Sequence, residues 1–138
     1  MNKLLLILMT IYTSTSASAP LLKGCPNKPN CVSSMAVDSH NIAPLRFKQG
    51  QTISPQQLSD ILQQLEQRMT LSINKDHLQA EISSRLFGFI DELDLIIDPE
   101  QKLIHVRSAA RTGYYDFGVN RRRVEKLRTR LQQAGFIL

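Results

Sequence analysis

Apolar residues along this chain recur with two different periods, and the change from one to the other marks out the order of its elements. Leu58, Ile61, Leu62 and Leu65 fall at helical spacing behind Ser54 and Pro55, a capping residue followed by proline at the first helical position. From residue 77 the period becomes two. Leu78, Ala80 and Ile82 alternate with His77, Gln79, Glu81 and Ser83, as in a strand with one face buried. A strand over 69–73 precedes it across a hairpin turn at Asn74, Lys75 and Asp76. A third strand is expected over 87–97, with Phe89, Leu93, Leu95 and Ile97 on the core side and Asp91 as the polar residue among them. Residues 98–101 read as a turn and 102–108 as a fourth strand. Val124, Leu127, Leu131 and Ala134 form the stripe of a final helix over 119–134, stopped by Gly135. The order α-β-β-β-β-α predicts an α+β two-layer sandwich, a four-stranded antiparallel meander with both helices on one face.

Placing the turn at 98–101 pairs Ile97 with Lys102 and sets a register. Leu95 then meets Ile104, Leu93 meets Val106 and Asp91 meets Ser108 on the inner face. On the outer face Asp94 is expected opposite His105 and Glu92 opposite Arg107, with Glu81 sharing that face. Such cross-strand pairs form either a solvated salt-bridge ladder or a polar site on the open sheet.

Ahead of these elements lies a leader. Lys3 supplies a positive start, residues 4–11 are apolar but for Thr10, and 13–19 are small and polar, the layout of a secretory signal. The apolar run is far shorter than the ~20 residues of a spanning helix. Cleavage is expected after Ala19, giving a signal peptide over 1–19, with cleavage after Ala17 and lipid attachment at Cys25 as the alternatives. About 115 residues remain, which is one domain's worth. An extended arm over 20–53 carries the loop Cys25-Pro-Asn-Lys-Pro-Asn-Cys31, and residues 54–138 form the α+β domain. Two cysteines around prolines and asparagines, in an exported chain, predict a Cys25–Cys31 disulfide that fixes a turn. Metal ligation would need further ligands close by, so no metal and no cofactor are expected.

The formal charge is +5, or +4 without Lys3, which is modest for a nucleic-acid binder, and no nucleic-acid partner is expected. Its distribution says more than its sum. Residues 81–100 hold six acidic residues against one basic (net −5), and residues 102–130 hold nine basic against two acidic (net +7). Adjacent blocks of opposite sign point to internal pairing. The basic run over 121–130 also admits a membrane-surface reading of the last helix.

Between the fourth strand and the last helix, residues 107–123 form the densest polar and aromatic stretch. Arginines where a strand enters a helix suit a carboxylate or phosphate. The expected ligand-binding residues are therefore Arg107, Arg111, Tyr114, Asp116, Asn120 and Arg121, with Asp91, Glu92 and Glu81 from the acidic block. Arg107 and Arg111 form the heart of this set, whereas Arg128 and Arg130 are expected to sit in water. There is no nucleophile elbow, no HExxH pattern and no glycine-rich phosphate loop.

Four stretches carry a family resemblance: Pro29-Asn30-Cys31-Val32-Ser33-Ser34, Ile42-Ala43-Pro44-Leu45, Phe89-Ile90-Asp91-Glu92, and Arg107-Ser108-Ala109 through Gly118-Val119-Asn120-Arg121-Arg122-Arg123-Val124-Glu125. By these the chain, from about Cys25 to its C-terminus, resembles the bacterial and plastid proteins called domain of unknown function 1499. The resemblance implies an envelope or lumenal setting and no particular activity. Ala110 stands where that family usually shows serine, and Glu92 where it often shows a second aspartate. The expectation for function is an exported, non-catalytic envelope module that binds an anionic or polar partner, a small molecule or an envelope protein. The alternative is a small hydrolase or transferase using Glu81, Asp91 or Glu92 as acid and base, with Arg107 as an anion clamp.

Overall fold

A computed structural model describes residues 21–84 and 88–138. The leader lies outside the described residues, as does the expected start of the third strand at Phe87. Eight elements follow in order: β1 (Cys31–Ser33), β2 (Leu45–Arg46), α1 (Pro55–Leu65), β3 (Met69–Asn74), β4 (His77–Ser83), β5 (Ile90–Asp98), β6 (Leu103–Ala110) and α2 (Val119–Gln133). The fold is α+β, with a mainly antiparallel sheet of six strands and two helices.

The start of α1 follows from its sequence. Ser54 accepts a hydrogen bond from the Gln57 backbone N–H, and the Gln57 side chain accepts one from the Ser54 N–H, a reciprocal cap. Leu58, Ile61 and Leu62 are buried. At the start of α2 the capping residue is Gly118, which has no side chain to offer, and Asp116 takes over. Its carboxylate accepts from the N–H groups of Gly118 (2.9 Å) and Asn120 (3.1 Å), placing a negative charge where the helix dipole favours one. Val124, Leu127 and Leu131 face the core, while Ala134, expected in that stripe, is exposed at the helix end.

Strands β3 to β6 pair consecutively and antiparallel. The sheet holds six strands rather than four, because two short pieces of the arm join it. β1 pairs with 107–109 and β2 with 103–104, both along the edge of β6. Neither piece is long enough to show a period in the sequence.

The register of β5 and β6 differs from expectation by two residues. Asp98 remains in its strand and pairs with Leu103, so the four-residue loop is 99–102. The Asp98 carboxylate accepts from the N–H groups of Glu100 (3.0 Å) and Gln101 (2.9 Å), and Lys102 closes the loop at φ 56°. Leu93 therefore meets Ser108, Leu95 meets Val106, Ile97 meets Ile104 and Asp91 meets Ala110. Asp94 faces Arg107, Glu92 faces Ala109, and His105 faces Ile96, its nearest acid being Asp98 at 3.8 Å. A slip of two leaves every side chain on its expected face.

The core gathers Leu78, Ala80, Ile82, Leu93, Leu95, Ile97, Ile104 and Val106 from the sheet with Leu58, Leu62, Val124, Leu127 and Leu131 from the helices. Phe89, assigned to it by parity, precedes β5 and is 55% exposed. Arg128 does not stand in water: it is part-buried and donates to the carbonyls of Ala43 (2.6 Å) and Pro44 (3.1 Å). Arg121 donates to Asn41 and Ser39 carbonyls, and Arg130 to the Gln64 side chain (3.0 Å). Two of the six basic residues of α2, Arg121 and Arg128, thus satisfy backbone carbonyls of the arm, which forms no helix among the described residues.

Candidate functional site

Outer-face positions of β4, β5 and β6 bring together Glu81, Glu92, Asp94 and Arg107, and Arg111 follows directly from β6. Glu81 lies opposite Glu92 across β4 and β5, a like-charged pair that would repel. Arg111 resolves it. Its Nη2 donates to Glu81 Oε1 and its Nε to Glu92 Oε1 at 3.2 Å. These bonds, to Glu81 first and Glu92 second, push the Arg111 pKa up and hold it charged.

Arg107 is placed differently. It is 3% exposed, and its Nη1 reaches Glu92 Oε2 at 3.4 Å and Asp94 Oδ2 at 3.5 Å. Both contacts are long for charge-assisted bonds. Its Nε is buried with no hydrogen-bond partner among the described residues. Asp94 also accepts from Gln79 Nε2 at 3.1 Å and lies 3.2 Å from His77 Nε2. Burial pushes the Glu92 pKa up, but hydrogen bonds from Arg111 and Arg107 outweigh it and leave the carboxyl below the ordinary glutamate value.

These side chains line a cavity of about 580 Å³ with Lys23, Thr70, Ser72 and Gln79. A second cavity of about 430 Å³ shares Lys23, Glu92, Arg107 and Arg111 and is bordered by Gly24, Cys25 and Pro26. Cys25 and Cys31 are disulfide-bonded, so the loop bordering this groove is tied to the first residue of β1.

The remaining expected site residues lie elsewhere. Asp91 points to the inner face, where Arg123 Nη2 donates to it at 2.8 Å. Arg123 also reaches Glu66 (3.1 Å), Asn120 Oδ1 (2.9 Å) and Ser108 Oγ (3.3 Å). Ser108 donates to Asn120 Oδ1 at 2.7 Å, and Asn120 Nδ2 donates to Asp116 at 2.9 Å. Burial pushes the Asp116 pKa up, but bonds from the Asn120 side chain and the Asn120 and Gly118 N–H groups outweigh it and lower it. This network joins β5, β6 and α2 beneath the sheet. Arg121 clamps the arm, and Tyr114 is exposed away from the groove lining.

Of the nine expected ligand-binding residues, the groove collects Glu81, Glu92, Arg107 and Arg111. It adds Asp94, whose parity with Glu92 already placed it on that face, and Lys23, which no sequence period signals. Arg123 stands three residues after Asn120 and so shares its helix face, which is the signal that the inner network carried. Among the described residues no group of three His, Cys, Asp or Glu side chains is placed to hold a metal ion, and no helix is long and apolar enough to cross a membrane.

Fold and groove together define a small α+β protein whose mainly antiparallel sheet carries charges of both signs on the face that bears Glu81, Glu92, Asp94 and Arg107. The chain belongs to the family described as protein of unknown function, DUF1499, whose model matches residues 21–131. No curated protein and no solved structure matches it.

Proposed function

We propose that the protein is an exported envelope module that binds, without catalysis, a polar ligand bearing a carboxylate or phosphate in the groove around Arg107 and Arg111. The observation that carries this reading is the guanidinium of Arg107, nearly buried, which among the described residues has an unpartnered Nε and two long contacts. Buried donors of this kind are costly unless something meets them, and an oxyanion in the groove would do so. Lys23, Arg107 and Arg111 are balanced there by Glu81, Glu92 and Asp94, so the ligand that fits best also carries hydroxyl or amine donors for the carboxylates.

Export is supported by the leader and by the disulfide, a bond that persists in oxidising compartments. The reading takes the fold as a two-layer sandwich with the β3 to β6 meander between groove and helices. Its support is that residues of both helices join those of a single sheet face in one core. Carboxylate catalysis draws less support. Glu92 is held ionised by two arginines, and Asp91 lies across the sheet against Arg123.

Arginine side-chain NMR with inorganic phosphate as the probe tests the proposal. The Arg107 Nε–H resonance is expected to move with saturation, and Arg107→Lys to abolish the response at Arg111 while the fold persists. Equal shifts with chloride, or a full response in Arg107→Lys, would overturn it.

A further inference from the structure

The two edges of the sheet are unlike. On one side β6 is covered by pieces of three and two residues, anchored by the Cys25–Cys31 bond and by arginines from α2. The other edge is β3, six residues long, and among the described residues the sheet ends there. Natural sheets blunt such an edge with charges, proline or a bulge. Met69-Thr-Leu-Ser-Ile-Asn74 has none of these: it carries no charge and no proline, and it pairs with β4 in unbroken register. Ile73 on its inner side is 40% exposed.

The geometry points to β3 as a pairing edge for a second copy of this chain, joined antiparallel about a two-fold axis at Ser72. A two-fold normal to the sheet keeps each side chain on its own face, so like meets like. Leu71 then faces Ile73 of the partner, and Thr70 faces Asn74 of the partner. Charges agree with this register. Arg68, just before β3, comes toward the partner's turn at Asp76. Both side chains are exposed and neither makes an ion pair within the described chain. Thr70 and Ser72 also line the groove, so pairing sets the grooves of two copies side by side on one continuous sheet. The dimer does not depend on what the groove binds. As a strand-edge contact it falls at the small end of interface sizes, below ~1,200 Å², and self-association is expected to be micromolar rather than tighter.

Sedimentation velocity over a concentration series, on the protein as recovered from the producing cell, tests this. Ser72→Lys sets two like charges at the axis and is expected to weaken dimerisation by about ten-fold or more, with an unchanged thermal melt. Arg68→Asp and Asp76→Arg are each expected to weaken it, and the combined exchange to restore it. A monomer at every concentration overturns the proposal and leaves the edge to an extended segment of another protein. A dimer indifferent to Ser72→Lys, or a charge exchange without rescue, overturns it in favour of another surface.

Discussion

Asp94 stands directly opposite Arg107 on neighbouring strands, yet the guanidinium is shared with Glu92 at almost the same distance, 3.5 Å to one and 3.4 Å to the other. One buried cation thus serves two carboxylates, and Glu92 relies on Arg111 as well. Arg111→Gln is expected to raise the Glu92 pKa toward its ordinary 4.5, read by side-chain carbon NMR across an acid titration. Because the folded value is depressed, Glu92 contributes stability above the unfolded value, and that contribution disappears as pH falls through the folded one. The variant is expected to lose part of this dependence. An unchanged Glu92 midpoint would assign the depression to Arg107 alone.

Arg123 is the cation of the inner network, bonded to Asp91, Glu66, Asn120 and Ser108. Arg123→Met leaves the buried Asp91 without its partner and is expected to cost about 3 kcal/mol or more in urea unfolding. Its exposed neighbour Arg122, which donates to the Phe117 carbonyl, is the control, and Arg122→Met is expected to stay within roughly 1 kcal/mol.

Arg128→Lys tests the clamp on the arm. Lysine cannot span the Ala43 and Pro44 carbonyls with two parallel donors, so the loss is expected to be about 1 kcal/mol. Amide exchange at residues 41–46 should quicken while β4 and β5 are unaffected. Unchanged exchange would return Arg128 to the role of a solvated charge.

His40 is buried between two acceptors, Asp38 Oδ1 at 2.8 Å on Nδ1 and the Lys28 carbonyl at 2.8 Å on Nε2. Both nitrogens can donate only when the ring is cationic, and its pKa is raised, first by Asp38 and then by the Lys28 carbonyl. The stability it contributes is complete below the ordinary 6.5 and is lost as pH rises through the folded value. Melting temperature is expected to fall over that window in the wild type and to change less in His40→Gln. A flat wild-type profile there would mean that the ring is neutral.

Reduction of the Cys25–Cys31 bond, which spans six residues, is expected to lower stability by about 2 kcal/mol, since the loop it closes is short. Mass spectrometry without reductant should show no free thiol. A diacylglyceryl adduct on Cys25 would exclude the bond altogether.

Where a period was long enough to read, the chain announced its elements. Both helices, the hairpin at Lys75 and the faces of β4 to β6 follow from spacing alone, and a register slip of two did not disturb them because parity survives an even shift. That slip came from Asp98, whose side chain caps the turn while its backbone stays in the strand, a choice that hydrophobicity does not record. The arm was opaque for a related reason. β1 and β2 are held by a disulfide, backbone pairing and arginines reaching in from α2, contacts that span many residues and have no local period. The dense polar stretch over 107–123 divides between two clusters, because a strand sends alternate residues to opposite faces. Arg107 and Ser108, adjacent in the chain, therefore serve two separate sites.

The loop that borders the groove is attached to the sheet through sulfur as well as through β1. A chain still in a reducing environment would carry the charged face of β4 to β6 but hold its rim at Gly24, Cys25 and Pro26 more loosely. Oxidation of the two cysteines thus fastens this rim, and on the proposed function a ligand's hold would depend on the redox state around the chain as well as on its folding.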